Sequence, residues 1–554
     1  MINESHTVKM MNFTSFILQI ILLIFILATL SVLNGDQVKL VLRPLRRMLR
    51  IAVSYATNPL HPTPNKQKPK AEIVSQRSKS KLEETSDADN GLGKFETDQL
   101  VNAFTKITNL MQQCWGVAGA DIISTSLDLD APKKAILFDP LTSGKCVYAI
   151  FAFAAIADFK QLSRKLGQDI MILINNVANV LHEEIYRWGF GESGQVNRNL
   201  GSSFLMVFRI GSQDDVQQRL LEATEVIFKC SKSYSSNNSR CRRLQSSSAS
   251  TGLDTATGED SASSSMKKNS EINLASLPGI SMFTDRSLIG MLKTFSGLHR
   301  DKDVMKWKND TRLSDCTRPY SLEIMFGLDA GWAIEGAVGS DNKIDATYLS
   351  PHVNMASRMM SACEQYGVTL LVSEAYAMLL SDTAQSKLRH IDTVTVKGST
   401  IEQRLFTYDA RHLGVNFFLL ERSGDQVEHE YYAPGIWNSD LDLLACRQHI
   451  TPEFEVKFQS GLQHYLDGNW PAAVQLLEEA NELMMRFYIQ EGFVEGLAQE
   501  LYDRVANVEE IDLSQILDAQ QYMDGPCQCL VAYMESCGGM PPDDWAGFRS
   551  LTQK

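Results

Sequence analysis

The sequence contains no Cys-x-x-Cys pair, although ten cysteines are spread along its 554 residues. Their spacing fits no zinc site, and their density is far below that of a disulfide-rich secreted scaffold. Positive charge is also in short supply, with 53 lysines and arginines against 66 aspartates and glutamates and a net charge of −13. That sign argues against a general nucleic-acid-binding surface. These shortages predict reduced thiols in a cytosolic domain, with no nucleic acid among its partners.

Apolar and charged residues are present in ordinary amounts, at 44% and 21%, which indicates a chain that buries folded cores. A length of 554 residues predicts two to four domains. The charge is uneven, because residues 36–81 contain eleven basic and two acidic residues, a net +9, and residues 82–554 carry −22. The basic segment directly follows the most apolar stretch of the chain.

That apolar stretch is Phe13–Leu33, with 21 residues and no charged side chain. As a helix it would span about 31 Å, the thickness of the hydrocarbon core of a bilayer. A cleaved signal peptide is the alternative, but the run is longer than the usual apolar region of a signal peptide and no clear small-x-small site follows it. We therefore predict a single-pass membrane anchor. The excess of lysine and arginine after it predicts a cytosolic C-terminal part.

Three segments of unusual composition follow. Residues 38–55 place arginines between leucines at helical spacing, which is typical of a basic helix at anionic lipid headgroups; a helix that transmits a signal from the membrane is a compatible alternative. Residues 58–92 begin with a Pro- and Lys-rich stretch and predict an extended linker. Residues 231–270 are crowded with Ser, Asn, Thr and Gly, and they predict a disordered insertion because they cannot bury enough apolar surface.

Buried-strand patterns alternate with helical patterns in the rest of the chain. The run KCVYAIFAFAAI at 145–156 is a continuous apolar segment, as in a buried strand, and LGSSFLMVFRI at 200–210 is interpreted as another buried strand. Residues 161–186 have helical periodicity, with one apolar face. Alternation of this kind predicts an α/β or α+β fold.

Several ordered motifs resemble the class III nucleotidyl cyclase family. FGLDAGWAIEGAVGSDNKIDATYLSPHVNMASRM at 326–359 is similar to that family's glycine-rich strand pair and the Val-Asn-x-Ala-Ser-Arg helix after it. FAAIADF at 153–159 and NRNLGSSFLMVF at 197–208 resemble its two metal-binding strand ends, and VTVKGS at 394–399 its late Val-Lys-Gly segment. The resemblance implies an α+β domain with a ferredoxin-like βαββαβ core, and the flanks are similar to large membrane-bound cyclases of protists.

The resemblance also implies a reaction and a site. In the family two such domains pair head to tail, with the active site between them. One side supplies two aspartates that hold two Mg²⁺ or Mn²⁺ ions, which promote attack of the ribose 3′-hydroxyl on the α-phosphate of ATP or GTP. The other side supplies base recognition, a ribose-orienting asparagine and a phosphate-binding arginine.

The metal-binding part of this pattern is missing. By the resemblance, the two aspartates fall at Ala155 and Ser202. Alanine has no ligand atom and serine is a weak neutral ligand, whereas paired divalent ions need charged oxygens. Asp158 is not expected to replace them, because three residues of strand span about 10 Å. The chain is therefore predicted to have no metal ligands of its own, so that Mg or Mn would come through a partner subunit.

The nucleotide-contacting part of the pattern is kept. Asn354 and Arg358 match the family's transition-state pair, and their i, i+4 spacing places them on one helix face. The planar fork of an arginine suits developing phosphate charge. Arg198 and Thr347 match the two base-contacting positions, and Lys397 matches the lysine at the outer phosphates. A cation and a hydroxyl at the base positions favour adenine weakly, so that ATP and GTP both stay open.

Alternatives exist for these residues and for the whole chain. Asn354 could cap or pack its own helix, and Arg358 could pair with a surface acid such as Glu364. The loss of both aspartates beside a kept Asn, Arg and Lys is the pattern of the metal-free half in mammalian-type two-domain cyclases. We therefore expect a half that forms cAMP or cGMP only beside a cyclase-domain partner bearing the aspartate pair. A regulatory pseudo-cyclase that binds nucleotide or a partner cyclase, and a membrane-anchored interaction protein, are the competing functions.

The C-terminal region predicts helices. The pattern F-x-x-G-L-x-x-Y-x-x-G-x-W-x-x-A from Phe458 resembles a single tetratricopeptide unit, which we interpret as a helical appendage packed on the cyclase domain. Trp545 and Phe548 are predicted to dock the tail. The predicted organisation is an N-terminal tail (1–12), a transmembrane helix (13–33), a juxtamembrane basic helix (36–57), a linker (58–92), a helical lead-in (93–140), a nucleotidyl cyclase domain (141–410) with the insertion 231–270, and a helical C-terminal region (411–554).

Overall fold

The structure is a computed structural model that describes residues 2–37, 143–189, 194–237, 272–313, 321–340, 343–396, 401–413, 432–494 and 519–551, with isolated residues at 42–48, 99–106 and 415. Most of the predicted juxtamembrane helix, the linker, most of the helical lead-in and residues 238–270 of the insertion lie outside the described residues. The chain divides into two compact units, residues 1–142 with 337–346, and residues 143–336 with 347–554.

In the first unit, helix α1 runs over Ile2–Gln37. Its segment Phe13–Leu33 has a mean hydropathy of 2.9 and is not buried against the rest of the protein. The hydroxyl of Thr29 donates to the carbonyl oxygen of Phe25 at 2.9 Å, which pairs a polar group within the apolar helix. The predicted apolar helix is therefore present. Its length and composition are sufficient to cross a bilayer, and a signal sequence near the N-terminus would meet the same criterion.

The sheet of the second unit is mixed, and its fourth and fifth strands include residues from 337–346, which are grouped with the first unit. Its strands are β1 (Lys145–Ile156), β2 (Gly194–Leu200), β3 (Ser203–Ser212), β4 (Ile324–Ser340), β5 (Lys343–Leu349), β6 (Leu370–Ser373), β7 (Arg389–Val396), β8 (Glu402–Thr407) and β9 (Arg549–Leu551). The strand order is β2-β3-β1-β4-β6-β8-β7-β9, with β5 paired to β4 outside this path. The pairs β4–β6 and β7–β9 are parallel, whereas β1–β3, β1–β4, β2–β3, β6–β8 and β7–β8 are antiparallel.

Helices connect and cover the strands. They are α2 (Phe159–Leu166), α3 (Ile170–Trp188), α4 (Gln213–Asn237), α5 (Ile280–Leu298), α6 (Lys302–Met305), α7 (Pro351–Tyr366), α8 (Glu374–Ala377), α9 (Asp382–Gln385), α10 (Ile436–Ser439), α11 (Leu441–Cys446), α12 (Pro452–Leu466), α13 (Trp470–Gln490) and α14 (Gly525–Ser536). The predicted α+β class and the C-terminal helices are confirmed. Helix α4 continues through residues 231–237, so the start of the segment predicted to be disordered is helical.

Two hydrophobic cores lie on the two faces of the sheet. The first is formed by alternate residues of the central strands, such as Ile150 and Phe326, packed against α3 and α5. The second is formed by α7, by Leu371 and Leu405, and by α12, α13 and α14. Because successive side chains of a strand point to opposite faces, the helix of the Asn354 motif shares with α12, α13 and α14 the face that α3 and α5 leave open.

Candidate functional site

The two positions predicted for the metal aspartates lie side by side in the structure. Ala155 is near the end of β1, opposite Ser203 of β3. The amide of Ile156 donates to the carbonyl oxygen of Ser202 at 3.1 Å. Ala155 is 7% exposed, and its neighbours Ala154 and Ile156 belong to the first core, so alternation turns the methyl group of Ala155 toward the second face. We refer to this part of the sheet, Ala155 with Ser202, as the strand-end corner.

Carboxylates are found beside the strand-end corner but not in it. Asp158 has a left-handed backbone, with φ 49°, and its side chain makes no capping hydrogen bond to α2. The amide of Ala157 donates to the carbonyl oxygen of Glu323 at 3.0 Å. Restricted hydration raises the pKa of Glu323, and the nearby charge of Asp158 raises it further. Glu323 was not among the sequence predictions, because only the pairing of β1 with β4 brings it here.

The donor set of the strand-end corner does not fit two divalent ions. Alanine and serine contribute no charged oxygen, and Mg²⁺ and Mn²⁺ prefer carboxylates. Among the described residues, no group of three or more His, Cys, Asp or Glu side chains is arranged to hold a metal ion. We therefore derive no chemical step through a metal held by this chain.

A β-bulge sets the direction of Arg198. The register of β2 against β3 shifts between Val196, which pairs with Met206, and Arg198, which pairs with Leu205. Met206 belongs to the first core, so without the shift Arg198 would point to that face as well. Because the bulge adds Asn197, Arg198 shares the face of Leu205, which pairs with Phe153 and lies next to the strand-end corner. The side-chain oxygen of Asn197 is buried, and no described residue donates a hydrogen bond to it.

Helix α7 carries the predicted Asn354 and Arg358, and glycines let it approach β4 closely. A Cβ on Gly327 would lie 2.1 Å from the amide nitrogen of Met360 and 2.3 Å from the carbonyl oxygen of Ala356. A Cβ on Gly331 would lie 2.2 Å from Nε2 of His352. The glycine-rich strand of the motif is thus explained by the close packing of α7 against it.

Both ends of α7 have clear signals. Ser350 is the N-cap and its hydroxyl accepts from the amide of His352, Pro351 is the first helical residue, and Gly367 ends the helix with φ 60°. The first turn is held by Asp329, which is only 2% exposed. Its carboxylate contacts Nδ1 of His352 at 2.9 Å and accepts from the hydroxyl of Ser373. Sequence reasoning missed this buried contact, which joins β4, β6 and α7.

The alternatives for Asn354 and Arg358 do not match what the structure shows. The helix is capped by Ser350 rather than by Asn354, which is exposed. Arg358 is half-buried and forms no hydrogen bond or ion pair with any residue that the structure describes, Glu364 included. A half-buried guanidinium without a protein partner retains its donors for a ligand.

Of the remaining predicted residues, Arg198 and Thr347 lie apart within one chain. Thr347 is half-buried on β5, next to Tyr348, whose hydroxyl donates to Oε1 of the buried Glu335 at 2.8 Å. Glu335 is also 3.1 Å from Nη2 of Arg209. Arg198 lies on β2, three strand spacings from β4, or about 14 Å. Lys397 follows the last residue of β7 and lies outside the described residues.

Comparisons with known proteins agree on one family for the sheet domain. Residues 146–410 match the family model of the adenylate and guanylate cyclase catalytic domain. Residues 4–128, which include the apolar part of α1, match the model of the all-helical domain of RasGEFs.

Two relatives are adenylate cyclases. The chain is 36% identical over 78 residues to an adenylate cyclase of Anabaena cylindrica, a match that covers 14% of this chain and 16% of the relative. It is 34% identical over 82 residues to the terminal-differentiation-specific adenylate cyclase of Dictyostelium discoideum, covering 14% of this chain and 4% of the relative. The matched segment thus spans a small part of both relatives.

Solved structures include a bacterial light-regulated adenylyl cyclase, at 15% identity and TM-score 0.35, with 58% of this chain and 65% of that one covered. The adenylyl cyclase CyaB from P. aeruginosa matches at 15% identity and TM-score 0.30, covering 48% of this chain and 95% of that one.

Proposed function

Because residues 146–410 are a catalytic domain of the class III nucleotidyl cyclase family, we propose that this chain is the metal-free half of a composite cyclase. With a second cyclase domain that bears the aspartate pair, it forms cAMP or cGMP and pyrophosphate from ATP or GTP. The observation that supports this proposal is the contrast within the site. Ala155 and Ser202 are adjacent but offer no charged oxygen, whereas Arg358 is half-buried with its donors unused by described residues.

Each retained residue has a role in this proposal. Arg358 donates to the α-phosphate as negative charge develops on it, and Asn354, one helical turn earlier, orients the ribose. Arg198 and Thr347 contact the base, and Lys397 contacts the outer phosphates. The proposal requires a second domain because Ala155 and Ser202 of this chain supply no charged oxygen for the metal ions.

Mg²⁺ or Mn²⁺ enters this proposal only through the partner. The partner's aspartates hold the ions, which supply the activation of the 3′-hydroxyl when they are bound. The residues of this chain bind and orient the nucleotide from the opposite side. The pattern of kept and missing side chains is therefore that of one complementary half.

The test is an activity assay of the full chain alone and mixed with a cyclase domain that carries both aspartates. Each sample receives Mn²⁺ and either ATP or GTP, and cyclic nucleotide is measured together with equilibrium nucleotide binding. We expect activity only in the mixture. Activity of this chain alone would overturn the metal-free assignment. Nucleotide binding without turnover in any mixture would replace the composite enzyme with the regulatory pseudo-cyclase.

We further propose that α1 anchors the chain in a membrane as a single span, with the cyclase domain in the cytosol. Support comes from the unburied apolar segment Phe13–Leu33 and from the net +9 of residues 36–81, which follows the positive-inside rule. Alkaline extraction of membranes tests this proposal. The full chain should stay in the pellet and a variant without residues 1–35 should be released, whereas release of both would exclude the anchor.

A further inference from the structure

We infer that Arg549, in the last described strand of the chain, is a positioning residue for helix α7. One guanidinium joins the C-terminal end of α7 to β7 and α14. The inference rests on the proposed function, because it assumes that Asn354 and Arg358 on α7 contact the nucleotide. It extends that function to the C-terminal tail, which lies outside the matched cyclase segment 146–410.

The contacts of Arg549 converge on the last residue of α7. Its Nε donates to Oδ2 of Asp392 on β7 at 2.8 Å, and its Nη2 donates to the hydroxyl of Tyr366 at 3.2 Å. The same Nη2 lies 3.3 Å from Sγ of Cys529 on α14. The guanidinium also stacks over the ring of Tyr533, 4.6 Å from its centroid. A planar, multidentate cation is suited to this arrangement, and a lysine would satisfy only part of it.

Removal of Arg549 would leave a buried charge. Asp392 is fully buried, and its Oδ2 also accepts from the hydroxyl of Tyr366 at 2.6 Å. Burial raises the pKa of Asp392, and the charge of Arg549 opposes that rise. A buried carboxylate that loses its cation must recruit water, take up a proton or move. Each of these responses disturbs Tyr366, because Tyr366 shares the same oxygen.

The tail around Arg549 is fixed in place. Strand β9 pairs in parallel with β7, with Val394 opposite Arg549 and Val396 opposite Leu551, and Leu551 is buried in the second core. Before the strand, the indole nitrogen of Trp545 donates to the carbonyl oxygen of Leu466 at 3.1 Å, in agreement with its predicted docking role. The backbone of Arg549 is therefore held by strand pairing and by the packing of the residues on either side of it.

The C-terminal end of α7 meets α14 directly as well. A Cβ on Gly525, the first residue of α14, would lie 2.2 Å from the carbonyl oxygen of Tyr366. Arg358 lies eight residues, or about 12 Å of helix, before Tyr366. Because a packed helix moves as a unit, a shift at Tyr366 is carried to Arg358. A misplacement of about 1 Å in a reacting group can lower a rate about 10²-fold.

The experiment compares Arg549→Ala, Arg549→Lys and Tyr366→Phe with the control Lys457→Ala in the full chain. Lys457 contacts Glu479 between α12 and α13 and takes part in none of the α7 contacts named above. The first readout is hydrogen exchange of residues 354–366 against residues 170–188 of α3, which belong to the first core; this readout does not depend on activity. The second is kcat and KM with the aspartate-bearing partner, per folded molecule as judged by thermal unfolding.

We expect Arg549→Ala to speed exchange in residues 354–366 but not in residues 170–188, and to lower kcat about 10- to 100-fold with KM changed far less. Arg549→Lys should lower kcat less than Arg549→Ala does. Tyr366→Phe should change kcat and hydrogen exchange in the same direction but by less, and Lys457→Ala should match wild type. Unchanged hydrogen exchange of residues 354–366 in Arg549→Ala would overturn the inference. So would a loss of activity that is fully explained by a larger unfolded fraction of the variant. An inactive wild-type mixture would instead reject the proposed function, with exchange still deciding the role of Arg549.

Discussion

The strand-end corner and helix α7 carry the two sets of candidate site positions in this chain, and they are held in different ways. The corner is held by backbone pairing and by apolar packing around Ala155. Helix α7 has buried polar contacts at both ends, to Asp329 at its start and to Asp392 at its last residue. Buried charges cost desolvation free energy that apolar packing would avoid. The difference indicates that directional polar contacts fix the position of α7, whereas backbone pairing and apolar packing are enough to hold the corner.

The largest effect is expected from giving the corner its missing ligands. The double variant Ala155→Asp with Ser202→Asp should convert a chain that is inactive alone into a Mn²⁺-dependent cyclase, with a gain of at least about 10³-fold because metal ions stabilise transition-state charge by several kcal/mol. Each single variant should stay inactive. Thermal unfolding with and without Mn²⁺ is the companion measurement. If the double variant gains neither activity nor Mn²⁺-dependent stability, the corner is not a metal position.

The second effect concerns the support of α7 at α14. Arg389 is buried between Asp409 and Asp524, with Nη2 at 2.8 Å from Oδ1 of Asp524, which also caps α14. Asp524→Asn keeps a capping side chain but removes one buried charge. The free energy of unfolding should therefore fall by about 3–5 kcal/mol at pH 7. Asp467→Asn, on an exposed carboxylate, is the control and should change little.

The same variant predicts a pH dependence. Burial raises the pKa of Asp524, but the charge of Arg389 more than offsets this and brings it to about 2. Because this folded-state value is below the unfolded one, the stabilisation is present above about pH 4 and is lost as the pH falls toward 2. The difference in stability between wild type and Asp524→Asn should therefore shrink over that window. A constant difference would show that the ion pair is not its origin.

The third effect tests the nucleotide-contacting half directly. Arg358→Ala should lower the activity of the mixture with an aspartate-bearing partner about 10²–10³-fold, because a preorganised donor to developing phosphate charge is lost. Stability should be nearly unchanged, since Arg358 bonds to no described residue. Parallel kinetics and thermal unfolding separate the two. Equal activity of Arg358→Ala and wild type would remove Arg358 from the site.

Parts of this comparison were predictable from the sequence and parts were not. Continuous apolar runs predict buried strands such as β1, and the glycine-rich motif located α7, because local periodicity and spacing carry that information. The bulge before Arg198 depends on cross-strand register. The contact between His352 and Asp329 depends on how α7 packs over β4. The pairing of Arg549 with Asp392 joins distant segments of the chain, and no local pattern encodes it.

The smallest effect probes the packing of α7. Gly327→Ala should destabilise the fold by about 1–3 kcal/mol, because its Cβ would overlap the backbone of α7. Gly211→Ala on β3, where the nearest atom to a new Cβ is 3.5 Å away, is the matched control and should be nearly neutral. Urea unfolding of both variants measures the difference. If the two variants lose equal stability, the close approach of α7 does not explain the glycine at 327.

The most direct test of the central claim is complementation between two inactive proteins. The partner is a cyclase domain that keeps its aspartate pair but has its own asparagine and arginine of the α7 type replaced. The wild-type chain is titrated into a fixed amount of this partner with Mn²⁺ and nucleotide, and cyclic nucleotide is measured. The account predicts no product from either protein alone and a saturable rise in the mixture. Product from the wild-type chain alone, or none at any ratio while the two proteins associate, would contradict it.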